Sequence, residues 1–156
     1  MKLLITFLIA FWLNIQAIWA GDRSVGYYYP VPNNVESYKA RMRVNANTNR
    51  SSRNSLVRMI SNEFLNKSYA PRFTIFTIGP HLEELVIVSM MKDYLDTTYR
   101  ARALLESLKT LVQRAPLINE TKPGLLLNFF DYMKILGFRK ITVSDGDKFS
   151  YQIVLR

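Results

Sequence analysis

The chain has 156 residues, no cysteine, and a formal net charge of +9, from 21 lysines and arginines against 12 aspartates and glutamates. The lack of cysteine excludes a disulfide-stapled scaffold, so we expect one domain that is stabilised by its own hydrophobic core. The basic excess predicts an anionic partner, which could be an acidic protein surface, a membrane surface or a polyanion.

The first twenty residues have the pattern of a secretory signal peptide. Lys2 supplies the positive start, residues 3–13 are almost wholly apolar, and Ala20 is a small residue at a natural cleavage position. The alternative is an uncleaved membrane anchor, but the apolar run is shorter than the about 20 residues of a spanning helix. We therefore expect cleavage after Ala20 and export of residues 21–156, which would then be periplasmic or secreted.

Residues 21–51 predict an extended aromatic and basic arm with a loop, followed by a single domain over residues 52–156. Two prolines and two glycines favour extended backbone at the start of the arm. Its three consecutive tyrosines, Tyr27 to Tyr29, either pack their rings onto the domain or are presented to a partner.

The most basic stretch of the chain runs from residue 39 to residue 58, and it contains no acidic residue. Its middle is rich in asparagine, serine and threonine, which predicts a solvated loop with exposed charges. Exposed like charges repel one another unless an anionic partner screens them. The predicted contact residues in this stretch are Arg41, Arg43, Arg50, Arg53 and Arg58.

Three amphipathic helices are predicted from apolar residues that recur three and four positions apart. Capping residues and prolines mark where each helix should begin and end. The predicted limits are Ser52 or Asn54 to Pro71, Asp96 or Thr97 to Pro116, and about Pro123 to Gly137.

Two β-hairpins are predicted from β-branched and aromatic runs. The first joins residues 73–78 to residues 85–91, and the second joins residues 141–143 to residues 149–155. In the second hairpin, the apolar residues of both strands share a face only if the numbers of directly paired residues add up to an even number, as for Val143 with Phe149. The loop must then have three or five residues, because a two-residue turn would reverse one strand. The predicted fold is α+β, with a four-stranded, mostly antiparallel sheet and about three helices on one face.

The start of the second predicted helix carries an unusual set of charges, Asp96, Arg100 and Arg102. Basic residues in the first turns oppose the helix dipole, so something should offset them. Either Asp96 pairs with Arg100, or the two arginines form an anion site with the exposed helix N–H groups.

A candidate polar site is also present in the second hairpin turn, where Asp145 and Asp147 flank a glycine. Such a pair can hold a hard cation, but turn chemistry explains the same residues without a metal. The single histidine, His81, lies in the first predicted turn and lacks a neighbouring nucleophile. We expect no metal, no cofactor and no disulfide-linked partner, since glycine-rich phosphate loops are also absent from the sequence.

Several segments together resemble a small exported family of rhizobial-type, plant-associated alphaproteobacteria. They are GYYYP, YKAR, LDTTYRARALL, FFDYMKILGF and ITVSDGD, which begin at Gly26, Tyr38, Leu95, Phe129 and Ile141. Some members bear the label molybdopterin-guanine dinucleotide biosynthesis protein A. The resemblance implies an exported domain and, through that label, a nucleotide- or phosphate-handling transferase.

Two functions therefore follow as expectations. The first is an exported, basic and non-enzymatic binding module, which in a host-associated bacterium would be an effector or virulence factor acting on a host partner. The second is the transferase of the family label. A pocket that joins Asp96, Arg100 and Arg102 to the turn at residues 145–147 would favour the enzyme.

Overall fold

The computed structural model describes residues 31–121 and 126–156, so the predicted signal peptide and the tyrosines of the arm lie outside the described residues. The described residues form an α+β fold, as predicted. The elements in chain order are β1 (Asn34–Tyr38), α1 (Arg50–Leu65), β2 (Phe73–Ile78), β3 (Glu84–Ser89), α2 (Thr98–Gln113), α3 (Pro116–Thr121), α4 (Phe129–Ile135), β4 (Lys140–Ser144) and β5 (Ser150–Leu155).

The sheet has five strands in the order β1-β5-β4-β3-β2, and it is mixed. The predicted hairpins β2–β3 and β4–β5 are both present and antiparallel. The prediction of four mostly antiparallel strands differs from the structure, because β3 pairs with β4 in parallel and β1 adds a parallel edge next to β5. Helices α2 to α4 form the crossover that brings β4 back in the direction of β3.

The β4–β5 hairpin has the predicted even sum of paired positions, with a five-residue loop. Val143 pairs with Tyr151, so the suggested pairing with Phe149 is wrong. The loop is held by Asp145, whose Oδ1 accepts hydrogen bonds from the amides of Asp147 at 2.8 Å and Phe149 at 2.9 Å. These bonds keep Phe149 in the loop, where it cannot join the strand.

Capping residues set the helix limits, and some differ from the prediction. Helix α1 begins after Asn49, whose side chain accepts from the Ser52 amide at 2.9 Å in a reciprocal capping box. Thr97 caps α2 as predicted. The third predicted helix begins later, after Asn128, and ends as predicted at Gly137, whose φ of +77° closes α4. The amide of Phe138 then donates to the Met133 carbonyl at 3.0 Å, as in a Schellman motif.

The main core lies between the helices and one face of the sheet. Its largest fully buried side chains include Tyr151, Phe129, Phe138, Ile60 and Leu105. The other face of the sheet, which we call the second face, carries a separate apolar cluster around Val86 and Val88 that contains no residue of the described helices. No helix in the described ranges is both long and apolar enough to cross a membrane.

Candidate anion-binding groove

The basic residues of the predicted contact segment differ in their surroundings. Arg50 and Arg58 are exposed on α1. Arg41 is also exposed, but its amide donates to Asp131 Oδ1 at 2.8 Å and its Nη1 donates to the Leu126 carbonyl at 3.3 Å. Arg41 is therefore held against the start of α4, whereas Arg50 and Arg58 are exposed on α1.

Arg53 is buried, which corrects the prediction that it is an exposed contact residue. Its side chain is only 7% exposed. Its Nε and Nη2 donate to the His81 carbonyl at 3.0 and 2.8 Å, and its Nη1 donates to the Leu136 carbonyl at 3.3 Å. Burial lowers the pKa of Arg53. Arg53 thus joins the β2–β3 turn to the end of α4 and is not available to a partner.

The two arginines at the start of α2 have separate partners. Arg100 Nη1 lies 2.8 Å from Asp96 Oδ1, so the local pairing is the alternative that the structure contains. Arg102 instead pairs with Glu36 of β1 and donates from Nε to the Tyr151 hydroxyl at 3.0 Å. Arg100 and Arg102 therefore do not converge on one anion site.

The hydroxyl of the buried Tyr151 lies in one cluster with Arg102 and Glu36. Burial, with the nearby Glu36 carboxylate, raises the pKa of Tyr151 to about 12. The hydrogen bond from Arg102 opposes that rise, and the same bond raises the pKa of Arg102. The neutral phenol of Tyr151 and the ion pair of Arg102 with Glu36 therefore connect α2 to the sheet.

The candidate polar residues of the β4–β5 turn serve the turn itself, because Asp145 already accepts from two amides. Within residues 31–121 and 126–156, no three acidic or histidine side chains are grouped so that they could hold a metal ion. Arg100 lines an open groove with Asp93, Tyr94 and Ser107, and neither Arg102 nor Asp147 is part of its lining.

A different groove brings basic side chains together at the edge of the sheet. We call it the basic groove, and it has a volume of about 750 Å³. Four of its lining side chains are basic and none is acidic. The lining residues are Ser37, Lys39, Ala40, Met42, Arg43, Val44, Lys134 and Arg156.

Three separate segments of the chain build the basic groove. The amide of Ala40 donates to the main-chain oxygen of Arg156 at 2.9 Å, which fixes the chain after β1 against the end of β5. The amide of Asn45 donates to the Ile135 carbonyl at 3.0 Å and places the following loop against α4. Lys134, in the last turn of α4, donates to the Leu155 carbonyl at 3.1 Å.

No basic side chain that lines the groove is in an ion pair within the described residues. The ion pairs in the part of the chain that the structure describes involve Arg100, Arg102, Lys109 and Lys140, none of which lines the groove. Like charges that line one groove repel one another, and an anion between them reduces that repulsion. The groove is therefore suited to an anionic ligand.

An open strand edge lies beside the basic groove. The Tyr38 carbonyl and the Ala40 amide point toward β5, because both bond to the main chain of Arg156 at 2.9 Å. Main-chain groups alternate in direction along a strand, so those of Ser37 and Lys39 point away from the sheet. Among the described strands, β1 pairs with β5 alone. Such an edge can accept an additional strand.

The basic stretch at residues 39–58 includes Lys39 and Arg43, but Lys134 and Arg156 were not predicted. Both are far from that stretch in the chain. The parallel β1–β5 pairing brings Arg156 to it, and the contact between Asn45 and Ile135 brings the end of α4 with Lys134. The position of Lys134 in the last turn of a helix was the one local signal. Comparisons with protein-family models, with curated proteins and with solved structures gave no match. The groove geometry therefore carries the functional argument.

Proposed function

We propose that this protein is an exported, non-enzymatic binding module that holds an anionic partner in the basic groove. The observation that carries the proposal is the set of four basic lining side chains with no acidic one. The signal-peptide pattern of residues 1–20 supports export. In a host-associated bacterium such a module would be an effector that acts on a host partner.

The partner that fits best is an acidic, extended polypeptide segment. The outward main-chain groups of Ser37 and Lys39 can bond to an added strand, and main-chain bonds of this kind supply affinity in strand addition. Acidic side chains on the added strand would then reach Lys39, Arg43 and Lys134. A flat anionic membrane would instead favour a broad basic face, and the exposed Arg50 and Arg58 of α1 are not among the residues that line the groove.

The separation of the charged residues supports binding over the transferase of the family label. That activity would use one pocket with Asp96, Arg100, Arg102 and the turn aspartates. Arg102 is bonded to Glu36 and Tyr151, and the Asp145 carboxylate is bonded to amides of its own turn. Arg102 and Asp145 are therefore held in separate contacts, which favours the binding module.

The test measures binding of the exported chain to a synthetic peptide of alternating glutamate and threonine, by fluorescence anisotropy at two salt concentrations. The variant Lys39→Gln/Arg43→Gln removes two charges from the groove. The control Arg50→Gln/Arg58→Gln removes the same charge from exposed positions of α1. We expect about a tenfold loss of affinity or more for the groove variant, little loss for the control, and weaker binding at high salt.

Two results would contradict the proposal. Equal losses in the groove variant and the control would mean that only net charge matters. Binding of phosphatidylglycerol vesicles or heparin, without binding of the peptide, would assign the groove to a membrane or a polysaccharide.

A peptide with N-methylated main-chain amides tests the strand-addition geometry. It keeps the charges but loses main-chain hydrogen-bond donors, so it should bind weakly.

A further inference from the structure

The two edge strands of the described sheet differ in their protection against pairing with another chain. Edge strands expose unpaired main-chain groups, and proteins commonly guard them with charged residues, with proline or by keeping the strand short. Strand β1 contains Glu36 and is followed directly by Lys39. Strand β2 has six residues, FTIFTI, with no charge and no proline. The β2 edge therefore lacks the protection that β1 has.

The outward main-chain groups of β2 are assigned from its pairing with β3. The Met90 amide donates to the Arg72 carbonyl at 2.9 Å, so the main chain of Arg72 faces β3. Main-chain groups alternate in direction along an antiparallel strand, so those of Phe73, Ile75 and Thr77 point away from the sheet. Among the described strands β2 pairs with β3 alone, and no described residue bonds to these outward groups.

The outward groups of β2 are arranged symmetrically about Ile75. If a second copy pairs antiparallel about a two-fold axis at this residue, Ile75 lies opposite its own copy and Phe73 lies opposite Thr77 of the second copy. Each such pair exchanges two main-chain hydrogen bonds, so this register uses every outward group of the strand. A shift by one residue would set outward groups opposite inward ones, and a shift by two would pair Phe73 or Thr77 with residues outside the strand. The β2 edge is therefore complementary to itself.

The side chains of β2 favour a second copy over a charged partner. Arg72 precedes the strand and would lie opposite Ile78 of the second copy, so the pairing sets no like charges directly opposite each other. Thr74, which is exposed, would lie opposite Phe76 of the second copy. Pairs of an aromatic with a β-branched residue stabilise neighbouring antiparallel strands. A charged peptide would find no opposite charge on this strand.

Apolar side chains are exposed near the residue at which β2 begins. Phe64, at the end of α1, packs edge-on against Phe73 with 4.7 Å between the ring centroids. Its neighbour Leu65 is 65% exposed, and Tyr69, in the connection from α1 to β2, is 54% exposed. Met90, whose amide bonds to the residue before β2, is 63% exposed. Exposed apolar surface beside an open strand edge favours association with another chain.

We propose that the protein forms a two-fold symmetric homodimer in which the β2 strands of two copies pair antiparallel about Ile75. The two five-stranded sheets would then form one continuous sheet. Strand β1 lies at the opposite edge of each sheet, so both basic grooves would remain at the outer edges of the dimer. The dimer does not depend on the proposed function, because it is measured without a groove ligand. If the grooves do bind, two of them on one frame would bind a repeated anionic partner more tightly than one.

Sedimentation velocity of the exported chain over a wide range of protein concentration measures the dimer. Thr77→Pro removes one outward donor from each copy and no bond to β3, and proline is tolerated at such edge positions. Thr74→Lys would place two lysines about 7–8 Å apart across the two-fold axis, where they repel. The matched controls are Ser37→Pro, at an outward position of β1, and Thr110→Lys, at an exposed position of α2. We expect the dissociation constant of the dimer to rise about tenfold or more in both β2 variants and to stay unchanged in both controls.

A second measurement tests the register and uses the lack of native cysteine. Thr74→Cys would bring two thiols within reach of a cross-linker that spans about 8 Å, so we expect a covalent dimer for this variant and none for Thr110→Cys. Because Thr74 is exposed, its variants decide the outcome even if Thr77→Pro does not fold. The proposal is overturned by a chain that stays monomeric, by a dimer that the controls weaken as much as the β2 variants do, or by equal cross-linking at both positions.

Discussion

Replacing Arg53 with glutamine should strongly destabilise the domain. The substitution removes two bonds to the His81 carbonyl and one to the Leu136 carbonyl. The bond to Leu136 is buried, so that carbonyl would be left without a partner, at a cost of about 1–3 kcal/mol. The His81 carbonyl is only partly buried and would bond to water instead, so losing the two bonds from Arg53 adds about 1 kcal/mol. We expect a total loss of about 2–4 kcal/mol in the free energy of unfolding.

Urea unfolding followed by circular dichroism measures this loss directly. Arg50→Gln and Arg58→Gln make the same chemical change at exposed positions of the same helix, and each should stay within about 0.5 kcal/mol of the parent. Arg53→Lys keeps the charge but cannot make the forked contact with the His81 carbonyl, so it should fall between Arg53→Gln and the parent. If Arg53→Gln is no more destabilising than the two controls, the bridging role of Arg53 is wrong.

Three further predictions concern the same framework. Gly137→Ala should cost at least about 1 kcal/mol, because φ is +77° there and the new Cβ would lie 2.6 Å from Arg53 Nη1; thermal unfolding measures it. Asn128→Ala should cost about 1 kcal/mol in urea unfolding, since it removes the cap that bonds to the Asp131 amide at 3.0 Å. The raised pKa of Tyr151 means that the unfolded chain loses its phenol proton first, so stability should fall as the pH rises from 10 to about 12. Tyr151→Phe should lack that part of the fall, about 1–2 kcal/mol. This is below the value for the full shift because the Glu36 carboxylate, which contributes to the raised pKa, is partly exposed and screened by solvent.

Local patterns in the sequence were sufficient for three of the four described helices and for both hairpins, whereas α3 (Pro116–Thr121) was not predicted. Apolar residues three and four apart identified α1 and α2, and the even-sum rule found the β4–β5 register to within the choice of loop length. The rule could not choose between loops of three and five residues, because both satisfy the alternation. The hydrogen bonds that Asp145 Oδ1 accepts from amides of its own loop favour the five-residue loop.

The parallel pairings and the basic groove could not be predicted, because they depend on residues far apart in the chain. Strand β1 (NVESY) has few apolar residues and lies at an exposed edge, so its sequence lacks the alternation of a half-buried strand. The burial of Arg53 did leave a signal. Leu56, Val57 and Ile60 follow Arg53 at three, four and seven positions, and this spacing places Arg53 on the buried side of α1.

The pairing of β1 with β5 also determines at which stage of folding the basic groove forms. The Oδ1 of Asn33 accepts a hydrogen bond from the Ser150 amide, which is 117 positions away in the chain. Such long-range contacts form late and slowly. The basic groove needs β1, the end of α4 and the end of β5 together. A chain that is still folding would have most of its helices but no groove. The proposed capture of an anionic partner would therefore be restricted to fully folded chains.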